Sequence, residues 1–147
     1  MENTMKLECR AISENEGLTR MAVAAFITPL NPTLEEMADV KTAVSEAVTN
    51  AIIHGYDGKE GTVTLEGIIK GDVLHITVKD TGKGIENIEQ AMEPMYTSRP
   101  ELERSGMGFS FMEAFMDNLE VESTVGIGTV IKMVKKLGTS PWIELTE

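Results

Sequence analysis

Apolar and polar residues alternate over residues 5–11, with Met5, Leu7, Cys9 and Ala11 on one side, and this period of two predicts a half-buried strand. The period then changes. Ser13-x-x-Glu16 has the form of a capping box ahead of the apolar-rich run 18–30, so a first helix of about 15 residues is expected, stopped near Pro29 and Pro32. Thr33 is placed to cap a second, longer helix. Its apolar stripe is Met37, Val40, Ala43, Val44, Ala47, Val48, Ala51 and Ile52, and Gly55 ends it. Period two returns over 62–69 and 73–79, joined as a hairpin through Lys70-Gly71-Asp72. A Gly-rich loop at 80–85, a short helix at 87–92, a long loop at 93–105 and a helix at 107–116 follow. Two more strands, 119–123 and 129–135, flank a turn at Val125-Gly126-Ile127-Gly128. This order predicts an α+β two-layer sandwich, with a mixed, mostly antiparallel sheet and helices on one face. One domain over 1–137 and a tail over 138–147 are expected, with no internal repeat.

Composition narrows the function more than the fold. The 147 residues suit one domain, and 41% hydrophobic with 25% charged residues is ordinary for a globular chain. A net charge of −11 repels phosphate backbones, which argues against direct nucleic-acid binding and suits a basic protein partner. The single cysteine, Cys9, excludes an internal disulfide framework and a Cys-rich zinc site. The longest apolar run, 21–27, is far short of the roughly 20 residues a membrane span needs. Met1-Glu2-Asn3-Thr4 is no signal-peptide start, so a cytoplasmic protein away from the membrane is expected.

Three stretches carry candidate chemistry. Glu46, Asn50 and His54 recur every fourth residue, off the apolar stripe. A carboxylate and an amide one turn apart can hold Mg²⁺ or an activated hydroxyl against phosphates, or they form a solvated polar face. Asp80-Thr81-Gly82-Lys83-Gly84-Ile85 leaves a strand end with a carboxylate and two glycines. A flat ligand with an exocyclic amine fits such a loop, and so does a plain turn. Arg104-Ser105-Gly106-Met107-Gly108-Phe109 opens a helix, where free N–H groups suit phosphate, unless it is only a Gly-rich helix start. No Walker A spacing and no G-x-G-x-x-G is present.

Together these stretches resemble a known family. Glu46-x-x-x-Asn50 resembles the N box of the GHKL ATP-binding superfamily, Asp80-x-Gly82-x-Gly84 its G1 box and Gly106-x-Gly108 its G2 box. Gly128-Thr129 resembles the terminal motif, and residues near 93–105 would be the ATP lid. Segments 44–56 and 100–109 are closer still to the anti-sigma-F factor family of spore-forming bacteria, and the resemblance runs from residue 1 to about 137.

The resemblance implies the GHKL fold, ATP or ADP with Mg²⁺, and a homodimer that captures sigma-F. It also implies transfer of the γ-phosphate to a serine of an anti-anti-sigma factor. Carried onto this chain, Glu46 would be the general base and Asn50 the Mg²⁺ ligand. Asp80 would bind the adenine amine, Gly82 and Gly84 would line its pocket, and Thr129 would support adenine through water. Gly106, Met107 and Gly108 would bind phosphates through backbone N–H groups, with Arg104 and Ser105 near the γ-phosphate. Arg20 would lie on the partner surface. The alternatives are a nucleotide-gated module that sequesters sigma without kinase activity, and a stress-response anti-sigma kinase. Other polar residues have plain readings: His75 is structural, and Lys132, Lys135 and Lys136 form a solvated strand end.

Overall fold

A computed structural model describes residues 1–93 and 108–138. The elements are β1 (Glu2–Arg10), α1 (Glu16–Ile27), α2 (Leu34–Asn50), β2 (Thr62–Lys70), β3 (Val73–Asp80), α3 (Ile88–Ala91), α4 (Gly108–Phe115), β4 (Asn118–Thr124) and β5 (Gly128–Lys136). The sheet order is β1-β2-β3-β5-β4. The expected lid residues beyond Glu93, and the tail beyond Gly138, lie outside the described residues.

All four strand pairings are antiparallel, so the sheet is not mixed. Two helices between β1 and β2 return the chain in the opposite direction, and two hairpins supply two further pairs. β3 and β4 do run in the same direction, but β5 lies between them. The covered face of the sheet carries Leu65, Val78 and Ile131 in one rung, with Ile76 and Met133 in the next. Val23, Ile27, Val40, Val44, Val48 and Met112 meet them from the helices, and all are buried. Each such side chain contributes roughly 1.5–3 kcal/mol through burial.

Local capping follows the residues once, not twice. At α2 the Thr33 hydroxyl accepts from the Glu36 N–H at 3.0 Å, and Glu36 accepts from the Thr33 N–H at 2.8 Å. At α1 the Ser13 box does not form. Ser13 opens a 3-10 turn and donates to Glu14 at 2.9 Å, while the Glu16 carboxylate is taken by Arg20 at 3.1 Å. A partner one turn ahead on the helix outcompetes the backward reach of Glu16. The lysines at the end of β5 also differ from expectation. Lys132 and Lys136 are exposed in pairs with Glu122 and Asp72, but Lys135 lies on the covered face. It is 12% exposed, lies 4.0 Å from Asp39 of α2 and donates to the Phe115 carbonyl at 2.7 Å. The alternation of β5 places it there, and the free carbonyl at the end of α4 satisfies its charge.

Candidate functional site

The site grows from the end of α2. After Asn50 the helix widens into a π-helical turn, Ala51–Gly55, closed by Tyr56 N–H to the Ala51 carbonyl at 3.1 Å. The wider turn changes the helical register after Asn50, so α-helical spacing no longer sets the position of His54 relative to Glu46 and Asn50. Asn50 is 8% exposed and Glu46 is half-buried one turn before it.

The wide turn brings Gly55 against Asp80 at the end of β3. A Cβ on Gly55 would lie 2.9 Å from Asp80 Oδ1, so only glycine leaves room for the carboxylate. A Cβ on Gly82 would strike the Gly55 carbonyl, and one on Gly84 would strike the Thr124 carbonyl. Gly84 also has φ +79°, where L side chains are strained. The loop glycines are therefore required by close approach of three backbone segments.

Partners within and beyond the loop hold its backbone. Thr81 N–H donates to the Tyr56 hydroxyl at 2.9 Å, and that hydroxyl donates to the Thr62 carbonyl at 2.6 Å. Gly82 N–H donates to Asp80 Oδ1 at 2.9 Å, Lys83 N–H to the Gly55 carbonyl at 2.8 Å, and Ile85 N–H to Ser123 Oγ at 2.7 Å. The Lys83 carbonyl accepts from Gly126 N–H at 2.8 Å. The chain's own bonds therefore fix the loop backbone.

Asp80 is 6% exposed and stands opposite Thr129 in the β3–β5 register, with Thr129 opposite Ser123 in the β4–β5 register. These three polar side chains form one rung on the covered face. Burial pushes the Asp80 carboxyl above its ordinary value, and the N–H groups of Gly82 and Thr129 pull it partly back. A buried carboxylate with acceptor capacity left over suits an amine donor.

Gly108 is the first residue of α4, whose opening turn has no acidic side chain. Phe109 and Met112 anchor that helix in the core shared with α2. Arg104, Ser105, Gly106 and Met107 lie outside the described residues. Arg20 is half-exposed on α1 and paired with Glu16. Among the described residues, no group of three or more His, Cys, Asp or Glu side chains could hold a metal, and no helix is long and apolar enough to cross a membrane.

Comparison with known proteins assigns the family. The Histidine kinase-like ATPase domain family matches residues 10–135. The anti-sigma F factor of Clostridium acetobutylicum is 62% identical over 136 residues, 92% of this chain and 95% of that protein. The chain belongs to the anti-sigma F factor family. The Clostridium perfringens family member is 61% identical, over 95% of this chain and 100% of its own length. The Thermoanaerobacter pseudethanolicus member is 56% identical, over 93% of this chain and 96% of its own. Among solved structures, the RsbU and RsbW domains of Rv1364c from Mycobacterium tuberculosis superpose with a TM-score of 0.66 at 18% identity. That match covers 92% of this chain and 32% of the other, and it shows a shared fold.

Of the residues expected at the site, the structure brings Asp80 and Gly82 against Gly55, Thr129 opposite Asp80 and Gly84 against Thr124. Sequence reasoning missed three contributors. Gly55 read as a helix stop, Tyr56 had no role and Ser123 read as an ordinary strand residue. A serine on the covered side of β4, after Leu119 and Val121, was the available signal for Ser123.

Proposed function

We propose that the chain is a nucleotide-dependent anti-sigma factor that is also a serine kinase. It binds ATP or ADP with Mg²⁺, holds sigma-F as a homodimer and transfers the ATP γ-phosphoryl group to a serine of an anti-anti-sigma factor. The observation that carries the nucleotide reading is the buried Asp80 carboxylate, set in a glycine cradle that a single Cβ would fill. The membership of an anti-sigma F family supplies the partners.

The residues present fit the nucleotide. Asp80 would accept a hydrogen bond from the adenine amine, Gly82 and Gly84 let the loop close against Gly55 and Thr124 to shape the pocket around it, and Thr129 would complete that end. The α4 start at Gly108 suits phosphate, and the family resemblance gives Gly106 and Met107 the same role and Arg104 and Ser105 the γ-phosphate. Mg²⁺ needs few protein oxygens, so the Asn50 amide oxygen would be enough to hold it from the protein side and neutralise phosphate charge. ATP supplies the phosphoryl group. As the serine oxygen bonds to the γ-phosphorus and the bond to the β–γ bridging oxygen breaks, Glu46 takes the serine proton. Arg20 contributes to the partner surface, flanked by exposed Leu18 and Met21.

The test is phosphotransfer from [γ-³²P]ATP with Mg²⁺ to an anti-anti-sigma protein of the same organism, beside Glu46→Gln. Label on a partner serine, lost in the variant while ATP still binds, is the expected result. ATP binding with no label from the native chain would leave a nucleotide-gated sequestering module and remove the role given to Glu46.

A further inference from the structure

The polar rung contains a hydroxyl with more contacts than it has protons. Ser123 Oγ lies 2.7 Å from the Ile85 nitrogen, 3.1 Å from the Gly128 carbonyl oxygen and 2.8 Å from Thr129 Oγ1. A serine hydroxyl has one proton to donate and two lone pairs to accept. Ile85 N–H takes one lone pair. The Gly128 carbonyl can only accept, so it takes the proton. The remaining contact is a hydrogen bond only if Thr129 donates its own proton to the second lone pair. The reverse assignment, Ser123 donating to Thr129, leaves two acceptors facing each other at the Gly128 carbonyl. Satisfying all three contacts therefore fixes the direction of the Thr129 hydroxyl.

We infer that Ser123 is a positioning residue that holds Thr129 as a hydrogen-bond acceptor beside Asp80, so that this end of the site takes a purine 6-amino group and rejects a 6-oxo group. The inference rests on the nucleotide reading above. Thr129 alone could donate or accept and would tolerate either group. With its proton spent on Ser123, Thr129 offers only lone pairs, and the facing Asp80 carboxylate also accepts. A 6-oxo group would meet the Asp80 carboxylate as a second acceptor, with no Thr129 proton left to offset it.

The test uses the full chain with Mg²⁺ and measures equilibrium binding of ATP and of inosine triphosphate, which replaces the 6-amino group and carries a proton on N1. The native chain is expected to prefer ATP by at least about thirtyfold, and Ser123→Ala to narrow that preference by roughly tenfold, because a misdirected polar contact is costly inside a site. In a Thr129→Val background, Ser123→Ala should leave the ratio unchanged. Ser123→Cys, of similar size and weaker hydrogen bonding, is read the same way if thermal melting shows that Ser123→Ala does not fold. Equal weakening of both nucleotides, or no change, overturns the inference and leaves Ser123 a structural role. A native chain that binds both nucleotides equally also overturns it but preserves the nucleotide reading. A native chain that binds neither removes the nucleotide reading itself, and the inference with it.

Discussion

Two neighbouring rungs on the covered face of the sheet do opposite things. Val78, Ile131 and Val121 form an apolar rung, with Val78 and Ile131 fully buried under the helices. Two residues along, Asp80, Thr129 and Ser123 occupy the same strands and the same face, and Asp80 and Thr129 are almost as buried. The first rung stabilises the fold through burial alone. The second carries a desolvated carboxylate that fold stability would not select. The difference shows how a site is made here: the apolar rung sets the rigid frame, and the polar rung uses the frame to hold a charge out of water. The open face, where Lys132 pairs with Glu122 and Lys79 with Glu66, has no comparable constraint.

Changes to each part should separate these roles, most strongly in the apolar rung. Ile131→Ala is expected to lower stability by about 3 kcal/mol in denaturant unfolding, with nucleotide affinity little changed once the chain is folded. Asp80→Asn should do the reverse, weakening ATP binding by about a hundredfold in calorimetry without loss of thermal stability, because it removes a buried charge. A stability gain for Ile131→Ala, or a strongly destabilised Asp80→Asn, would break the contrast between the rungs.

The pH dependence sharpens the same point. The Asp80 carboxyl is raised above its ordinary 3.8 by burial, so the folded state keeps the proton longer than the unfolded state. Between 3.8 and the raised value the unfolded chain has lost a proton that the folded chain retains, and stability falls as pH rises. The loss is complete above that window. The melting-temperature difference, Asp80→Asn minus native, should therefore grow as pH rises through the window and then level off. A difference independent of pH would contradict the desolvated carboxylate.

Smaller effects lie around the loop and on the open face. Tyr56→Phe deletes the hydroxyl that joins Thr81 N–H to the Thr62 carbonyl, and it should lower stability by about 1–2 kcal/mol and increase amide exchange at Thr81. Lys132→Ala, which removes an exposed pair, should change stability by less than about 0.5 kcal/mol in the same unfolding assay.

The elements themselves were legible because their periods are local properties. The alternation over β2 and β3, the stripe of α2 and the Thr33–Glu36 capping box all appear in the structure as the chain suggests. The Ser13 box has the same letters as a working cap, yet it fails because Arg20 competes for Glu16. Lys135 shows a similar limit, since its charge reads as solvated until the end of α4 and Asp39 are seen around it. Asp80, Gly82, Gly84 and Thr129 were readable as a loop and a strand start. That Asp80 and Gly82 close on Gly55, and Gly84 on Thr124, was not, because close approach between segments leaves no trace in periodicity.

The sequence by itself therefore determined the order and type of the elements, the acidic charge and which residues are candidates for a nucleotide site. Those depend on neighbours within a few positions along the chain, and on residue chemistry. Only the tertiary structure decided that β5 inserts between β3 and β4, that the α2 helix widens after Asn50, and that Ser123 and Tyr56 hold the loop. The two loop contacts join residues 25 and 38 positions apart, and their hydrogen-bond partners exist only once the sheet and helices have closed around the same core.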